Sequence, residues 1–161
     1  MKTLTDLAVD VGKQLAASGQ TVTTAESCTG GGIAYVLTEV AGSSGWFERG
    51  FVTYSNQAKE DMVGVSIETL GANGAVSEAV AEEMASGALA AANADFAVSV
   101  SGIAGPGGGT KDKPVGMVCF GWAFKDGRRI SDTQYFDGDR HKIRVATIEH
   151  SLRRLLFEIQ Q

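Results

Sequence analysis

Residues 96–103, Phe-Ala-Val-Ser-Val-Ser-Gly-Ile, form an unbroken run of small and apolar side chains that discharges into Gly105-Pro106-Gly107-Gly108-Gly109. A strand with no polar face has no side to turn to water, so it belongs in the middle of a sheet that is covered on both faces. The flanking sequence supplies the covering layers. Leu4, Leu7, Ala8, Val11 and Leu15 recur at three- and four-residue steps ahead of Gly19, which predicts a helix with a left-handed C-terminal cap. Residues 21–26 read as a strand, and Ile33, Ala34, Leu37 and Val40 as the apolar stripe of a helix that ends near Gly42. Trp46-Phe47 and Phe51-Val52-Thr53-Tyr54 have strand preference, and Ser55 or Asn56 then caps a short helix carrying Lys59 and Met62 that Gly64 ends. Ser66 caps a turn containing Leu70, Asn73-Gly74 marks a tight turn, and Ser77 caps a longer helix with Val80, Met84, Ala88 and Ala91 on one face. Val115–Phe124 and Ile130–Phe136 flank Asp126-Gly127, the signal of an antiparallel hairpin. Asp139 caps a last helix in which Ile148, Leu152, Leu155, Leu156 and Ile159 are spaced for burial. The pattern predicts one domain over residues 1–161, a three-layer α/β/α sandwich with a mixed, mostly parallel sheet.

Composition narrows the function classes. A net charge of −5 argues against a general nucleic-acid binder, because phosphate backbones are held by clustered Lys and Arg. No apolar run is long enough to span a bilayer, and the amino terminus is amphipathic, with Asp6 and Asp10, rather than shaped as an export signal, so a cytoplasmic protein is expected. Cys28 and Cys119 offer neither a disulfide framework nor metal spacing, and His141 and His150 add no zinc pattern.

The chemistry concentrates in Thr23-Thr24-Ala25-Glu26-Ser27-Cys28-Thr29-Gly30-Gly31-Gly32, a β-rich run that stops at a hydroxyl residue and turns through glycines into a helix. Such a turn exposes a nucleophile beside the N–H groups of a starting helix, which suit an oxyanion or a phosphate. Ligands of α/β sheets gather outside the carboxyl ends of the parallel strands, where this turn, the second glycine loop and the Tyr54–Lys59 corner are expected to meet. A serine needs a base. Lys59 is the candidate: a lysine amine titrates near ~10.4 in water, and burial lowers that value by disfavouring the ammonium. Tyr54, five residues earlier, is placed to hydrogen-bond the lysine or the serine. His141 near a helix start reads as solvated. Cys28 competes with Ser27, because a thiol at a helix N-terminus has a lowered pKa, or else packs inward as free cysteines commonly do; strand alternation allows one of the two to face the site. Gly105–Gly109 followed by Thr110-Lys111 lacks the Walker order, so it is either a backbone cradle for one phosphate or a surface loop, with Arg140 available as a fixed positive charge.

Five blocks carry a resemblance: Thr24-Ala25-Glu26-Ser27-Cys28-Thr29-Gly30-Gly31; Gly50-Phe51-Val52-Thr53-Tyr54-Ser55-Asn56 with Lys59; Gly74-Ala75-Val76-Ser77-Glu78; Ser101-Gly102-Ile103-Ala104-Gly105-Pro106; and Lys113-Pro114-Val115-Gly116. In this order they resemble the CinA carboxy-terminal domain family, whose stand-alone bacterial members are nicotinamide-nucleotide amidases. The resemblance implies hydrolysis of the carboxamide of nicotinamide mononucleotide to nicotinic acid mononucleotide and ammonia, in pyridine-nucleotide recycling, with no metal or other cofactor. It implies Ser27 as nucleophile, Lys59 as general base, Tyr54 in support, and a homodimer. An oxyanion is then expected on N–H groups near Thr29 and Gly30, and the phosphate at Ser101, Gly102 and Gly105 with Arg140. Thr29–Gly31 is the alternative phosphate cradle if the substrate lies the other way round. Two competing readings are a pyridine-nucleotide sensor without activity and an amidohydrolase for another amide.

Overall fold

The central strand of the sheet is Phe96–Gly102, and its first six residues are buried. It lies in a computed structural model that describes residues 2–161. In chain order the elements are α1 (Leu4–Ser18), β1 (Val22–Glu26), α2 (Gly32–Thr38), β2 (Phe51–Val52), α3 (Asn56–Val63), α4 (Ile67–Asn73), α5 (Glu78–Ala92), β3 (Phe96–Gly102), β4 (Met117–Phe124), β5 (Arg129–Tyr135) and α6 (Arg140–Ile159). The sheet order is β2-β1-β3-β4-β5. β1 pairs parallel with β2 and β3, whereas β3–β4 and β4–β5 pair antiparallel, so the mixed sheet has β4 as its one reversed strand.

The two faces of β3 differ in size, and the helices differ accordingly. Phe96, Val98 and Val100 join Phe120, Trp122 and the apolar faces of α1, α2 and α6 in the larger core. On the other face Ala97, Ser99 and Gly121 leave room for α5 to approach closely, and a Cβ on Gly121 would stand 2.4 Å from the Ala81 carbonyl oxygen. Bulk on one side and small residues on the other thus set two different helix-to-sheet distances.

Local signals were realised where they rest on bonds within one turn. Ser55, Ser66, Ser77 and Asp139 each accept an N–H from the first turn of α3, α4, α5 and α6, as expected. Gly19 and Gly64 close α1 and α3 in the left-handed region. Three boundaries differ from expectation. α2 stops at Thr38, because Gly42 (φ 83°) opens a separate 3₁₀ turn over Ser43–Gly45 instead of capping the helix. Trp46 ends that turn and Phe47 makes only an isolated bridge to Val22, so the pairing of this edge strand is confined to Phe51–Val52. β4 begins at Met117 rather than Val115, since Gly116 (φ 96°) runs so close to the Phe136 carbonyl that a Cβ would lie 2.1 Å from it. Among the described residues, no helix is long and apolar enough to cross a membrane.

Candidate active site

The first glycine turn begins as an extension of the sheet. The Ser27 N–H donates to the Val100 carbonyl at 3.0 Å, which prolongs the β1–β3 ladder by one residue and holds the serine at the carboxyl end of the sheet. The chain then reverses through Gly30 (φ 60°) and Gly31 (φ 101°), conformations that glycine adopts without a Cβ clash. The start of α2 is not open to a ligand, in contrast to expectation. The fully buried Glu26 carboxylate accepts from Ile33 N–H at 2.8 Å, Ala34 N–H at 3.0 Å and the Thr29 hydroxyl, so the helix is capped from inside the protein. Burial pushes the Glu26 carboxyl up from its ordinary value, against the pull of these donors.

Lys59 enters the same place from α3. Its position on the inner face of that helix, one turn before Val63, buries it to 1% exposure. Nζ lies 3.1 Å from Ser27 Oγ, 2.9 Å from the Thr53 carbonyl and 3.4 Å from the Tyr54 carbonyl. Among the described residues no carboxylate approaches it within ion-pair distance. Burial without a counter-charge disfavours the ammonium and lowers the Lys59 pKa. As a neutral amine, Nζ can donate to the two carbonyls and accept the Ser27 proton on its lone pair. Ser27 Oγ also reaches the Tyr54 carbonyl at 3.3 Å.

Tyr54 contributes differently from expectation. Its backbone carbonyl, not its phenol, bonds the serine and the lysine, while its exposed hydroxyl accepts from Arg140 Nη2 at 3.2 Å. The end of β2 turns the side chain outward, and Arg140 at the start of α6 meets it there. Between the two readings of Cys28, nucleophile or inward-packed thiol, the structure gives the second: it packs into the larger core, and burial pushes its thiol up to about 12, which outweighs the lowering expected from a helix N-terminus.

These groups surround a cavity of about 300 Å³. Its lining brings together Ser27, Cys28, Tyr54 and Lys59, the loop residues Ser101, Gly102, Gly105, Gly107 and Gly108, and Arg140. Arg140 Nη1 donates to the Gly105 carbonyl at 2.8 Å, so one guanidinium ties the second glycine loop to Tyr54. The N–H groups of Gly105, Gly107 and Gly108 have no protein acceptor among the described residues. The Arg140 guanidinium brings a fixed positive charge to the lining, and among the described residues no carboxylate lines the cavity, which suits an anionic guest.

Not every expected residue arrives. Thr29, Gly30 and Gly31 stay outside the cavity, because the turn curls away toward α2 and the Thr29 hydroxyl is spent on Glu26. The Gly30 N–H is likewise taken by the Ser27 carbonyl at 3.0 Å, so it is not an oxyanion donor. His141 is exposed, and His150 pairs with Asp132 against Phe120, away from the cavity. Among the described residues no cluster of His, Cys, Asp or Glu could hold a metal ion. Sequence reasoning missed Asn56 and Val76 in the lining, the capping role of Glu26, and Arg144, whose Nε and Nη2 reach the Cys28 and Thr29 carbonyls. The four-residue step from Arg140 to Arg144, which places both on one face of a helix, was the available signal.

Comparison with known proteins extends the geometry. Residues 4–159 match the CinA C-terminal domain. The chain is 57% identical over 157 residues to the nicotinamide-nucleotide amidohydrolase PncC of Enterobacter agglomerans, covering 98% of this chain and 96% of that protein. It is 51% identical to the enzyme of the same name from Pseudomonas putida, covering 97% of each. Among solved structures, the competence/damage inducible protein CihA from Agrobacterium tumefaciens superposes with a TM-score of 0.94 at 46% identity over the full length of both chains. The competence damage-inducible protein A from Klebsiella pneumoniae gives 0.95 at 39% identity, covering 99% of each. The chain therefore belongs to the CinA C-terminal domain family.

Proposed function

We propose that this chain is a nicotinamide-nucleotide amidohydrolase that converts nicotinamide mononucleotide to nicotinic acid mononucleotide and ammonia by a Ser27–Lys59 acyl-enzyme route, within pyridine-nucleotide recycling. The substrate reading rests on relatives of that name at 51–57% identity over nearly the whole chain. The observation that carries the mechanism is the buried Lys59 amine, 3.1 Å from Ser27 Oγ and without a carboxylate partner. A solvated or ion-paired lysine would stay protonated, whereas this one is pushed toward the form that acts as a base.

In the first step Ser27 Oγ attacks the carboxamide carbon while its proton passes to Lys59 Nζ. The C–N bond of the tetrahedral intermediate then breaks, Lys59 returns the proton to the leaving nitrogen, and ammonia departs. Water, deprotonated by the same amine, cleaves the ester and restores Ser27. The Thr53 and Tyr54 carbonyls hold Nζ in line throughout. The nucleotide phosphate sits against Arg140 and the free N–H groups of the second glycine loop, with Ser101 and Gly102 beside it. Tyr54 then acts by orienting Arg140. A homodimer belongs to the same reading and is checked by light scattering.

The test is ammonia release from nicotinamide mononucleotide by the purified protein, beside Ser27→Ala and Lys59→Ala variants of unchanged circular dichroism. Release by the parent and its loss in both variants is the expected result. A parent that binds the nucleotide but releases nothing overturns the amidase reading in favour of a sensor, and a parent that prefers another amide overturns the substrate.

A further inference from the structure

We infer that Arg144 is a positioning residue for catalysis, which fixes the turn after Ser27 so that the Cys28 N–H, on the cavity side, serves as an oxyanion donor. The inference rests on the amidase reading above for its substrate, but its geometry stands independently.

Arg144 lies one helical turn beyond Arg140 on α6 and reaches the nucleophile turn from behind. Nε donates to the Cys28 carbonyl at 3.1 Å and Nη2 to the Thr29 carbonyl at 3.0 Å. Among the described residues it has no carboxylate within ion-pair distance, so these two carbonyls are the recorded partners of its fork. A planar guanidinium bridging consecutive carbonyls fixes both peptide planes at once, which a point charge cannot do.

The direction of the free donors follows from peptide geometry. In a planar trans peptide the C=O and the following N–H point opposite ways. Arg144 holds the Thr29 carbonyl, so the Gly30 N–H of the same peptide unit faces away from the guanidinium and donates to the Ser27 carbonyl. The Ser27 carbonyl is thereby turned into the turn, so the Cys28 N–H of that peptide unit faces outward. The Cys28 N–H has no protein acceptor among the described residues, although Cys28 is buried to 7% exposure. Buried donors are ordinarily paired, and an unpaired one directly after a serine is what an anionic oxygen formed at that serine requires. Cys28 lines the same cavity as Ser27. On the far side of the turn, Glu26 pins Thr29 and α2, so the loop is clamped between a carboxylate and a guanidinium. The positive charge on the Thr29 carbonyl also polarises its peptide unit, which strengthens the Gly30 N–H bond to the Ser27 carbonyl.

The experiment compares the parent with Arg144→Gln and Arg144→Lys by kcat and KM for nicotinamide mononucleotide, by melting temperature, and by the rate at which Ser27 is labelled by an alkyl fluorophosphonate. The expected result is a kcat about 10²-fold lower in Arg144→Gln with KM within threefold, an intermediate kcat in Arg144→Lys, and labelling slowed in the same order. Arg144→Lys keeps charge and stem, so it serves if Arg144→Gln does not fold. Partial restoration of Arg144→Ala by added methylguanidine separates positioning from a merely structural role. A kcat and labelling rate within threefold of the parent in a folded Arg144→Gln overturns the inference, as does a loss that tracks melting temperature and is not restored by methylguanidine. If the parent releases no ammonia, the amidase reading fails, and the labelling rate still decides the role of Arg144.

Discussion

Replacing Lys59 by Met separates what this side chain does for chemistry from what it costs the fold. The substitution keeps the unbranched apolar stem of a residue that is 1% exposed, with sulfur in place of Cδ, and removes Nζ. Two effects on stability oppose each other. The Thr53 carbonyl loses its donor, at a cost of about 1–3 kcal/mol, while the Tyr54 carbonyl keeps the Ser27 hydroxyl. Against this, the variant no longer desolvates an amine that has no carboxylate partner, a penalty of similar or larger size. The expected net change at pH 7 is within about 2 kcal/mol in either direction, or about 4–8 °C in melting temperature for a chain of this size. Activity falls by about 10²–10⁴-fold or more, since the serine loses its base. Burial sets the folded pKa of Lys59 below its unfolded value of 10.5, so its contribution is present above 10.5 and lost as pH falls through the folded value. The parent should therefore gain stability relative to Lys59→Met as pH rises through that window. Ammonia release and urea unfolding across pH read both quantities. Activity within tenfold of the parent would refute the base assignment, and a stability loss above about 4 kcal/mol would refute the claim that the amine sits there at a cost.

Four further outcomes follow from the same geometry. The rate of ammonia release by the parent should fall as pH drops through the lowered Lys59 pKa, because the ammonium cannot take the Ser27 proton; a flat profile from about pH 5 to 9 contradicts this. Cys28→Ala should keep turnover within about threefold, since burial pushes the thiol to about 12 and leaves no thiolate at neutral pH; a 10²-fold loss in a folded variant reassigns the nucleophile. Glu26→Ala should lose about 2–4 kcal/mol in urea unfolding by stranding the Ile33 and Ala34 N–H groups and the Thr29 hydroxyl, and a loss below about 1 kcal/mol would mean water replaces the cap. Gly87→Ala on α5 should be destabilising by more than about 2 kcal/mol although Ala is the better helix former by about 1 kcal/mol, because its Cβ would stand 1.6 Å from the Val63 carbonyl oxygen; an unchanged melting temperature would show that α3 and α5 can separate.

The sequence by itself determined what depends on neighbours along the chain. The N-caps Ser55, Ser66, Ser77 and Asp139 lie three residues before the N–H they bond, and the Asp126-Gly127 hairpin turns within a few residues, with the Gly127 N–H bonding the Phe124 carbonyl. The two-faced burial of residues 96–101 was legible for the same reason, since an apolar run has one favourable environment. Ser27 and Lys59 could be named as chemical types, and the strand-end rule brought them to one edge of the sheet. Only the tertiary structure decided the rest. Whether the phenol or the carbonyl of Tyr54 meets the serine depends on how β2 twists out of the sheet, and the answer was the carbonyl. That Glu26 rather than a ligand satisfies the start of α2, and that Arg144 grips carbonyls 115 and 116 residues away, depends on how α2 and α6 pack over one core. Local hydrogen bonds are specified by short spacings that a sequence displays directly. Contacts across the fold are specified by the directions in which packed elements point their side chains, and those directions exist only once the elements are assembled.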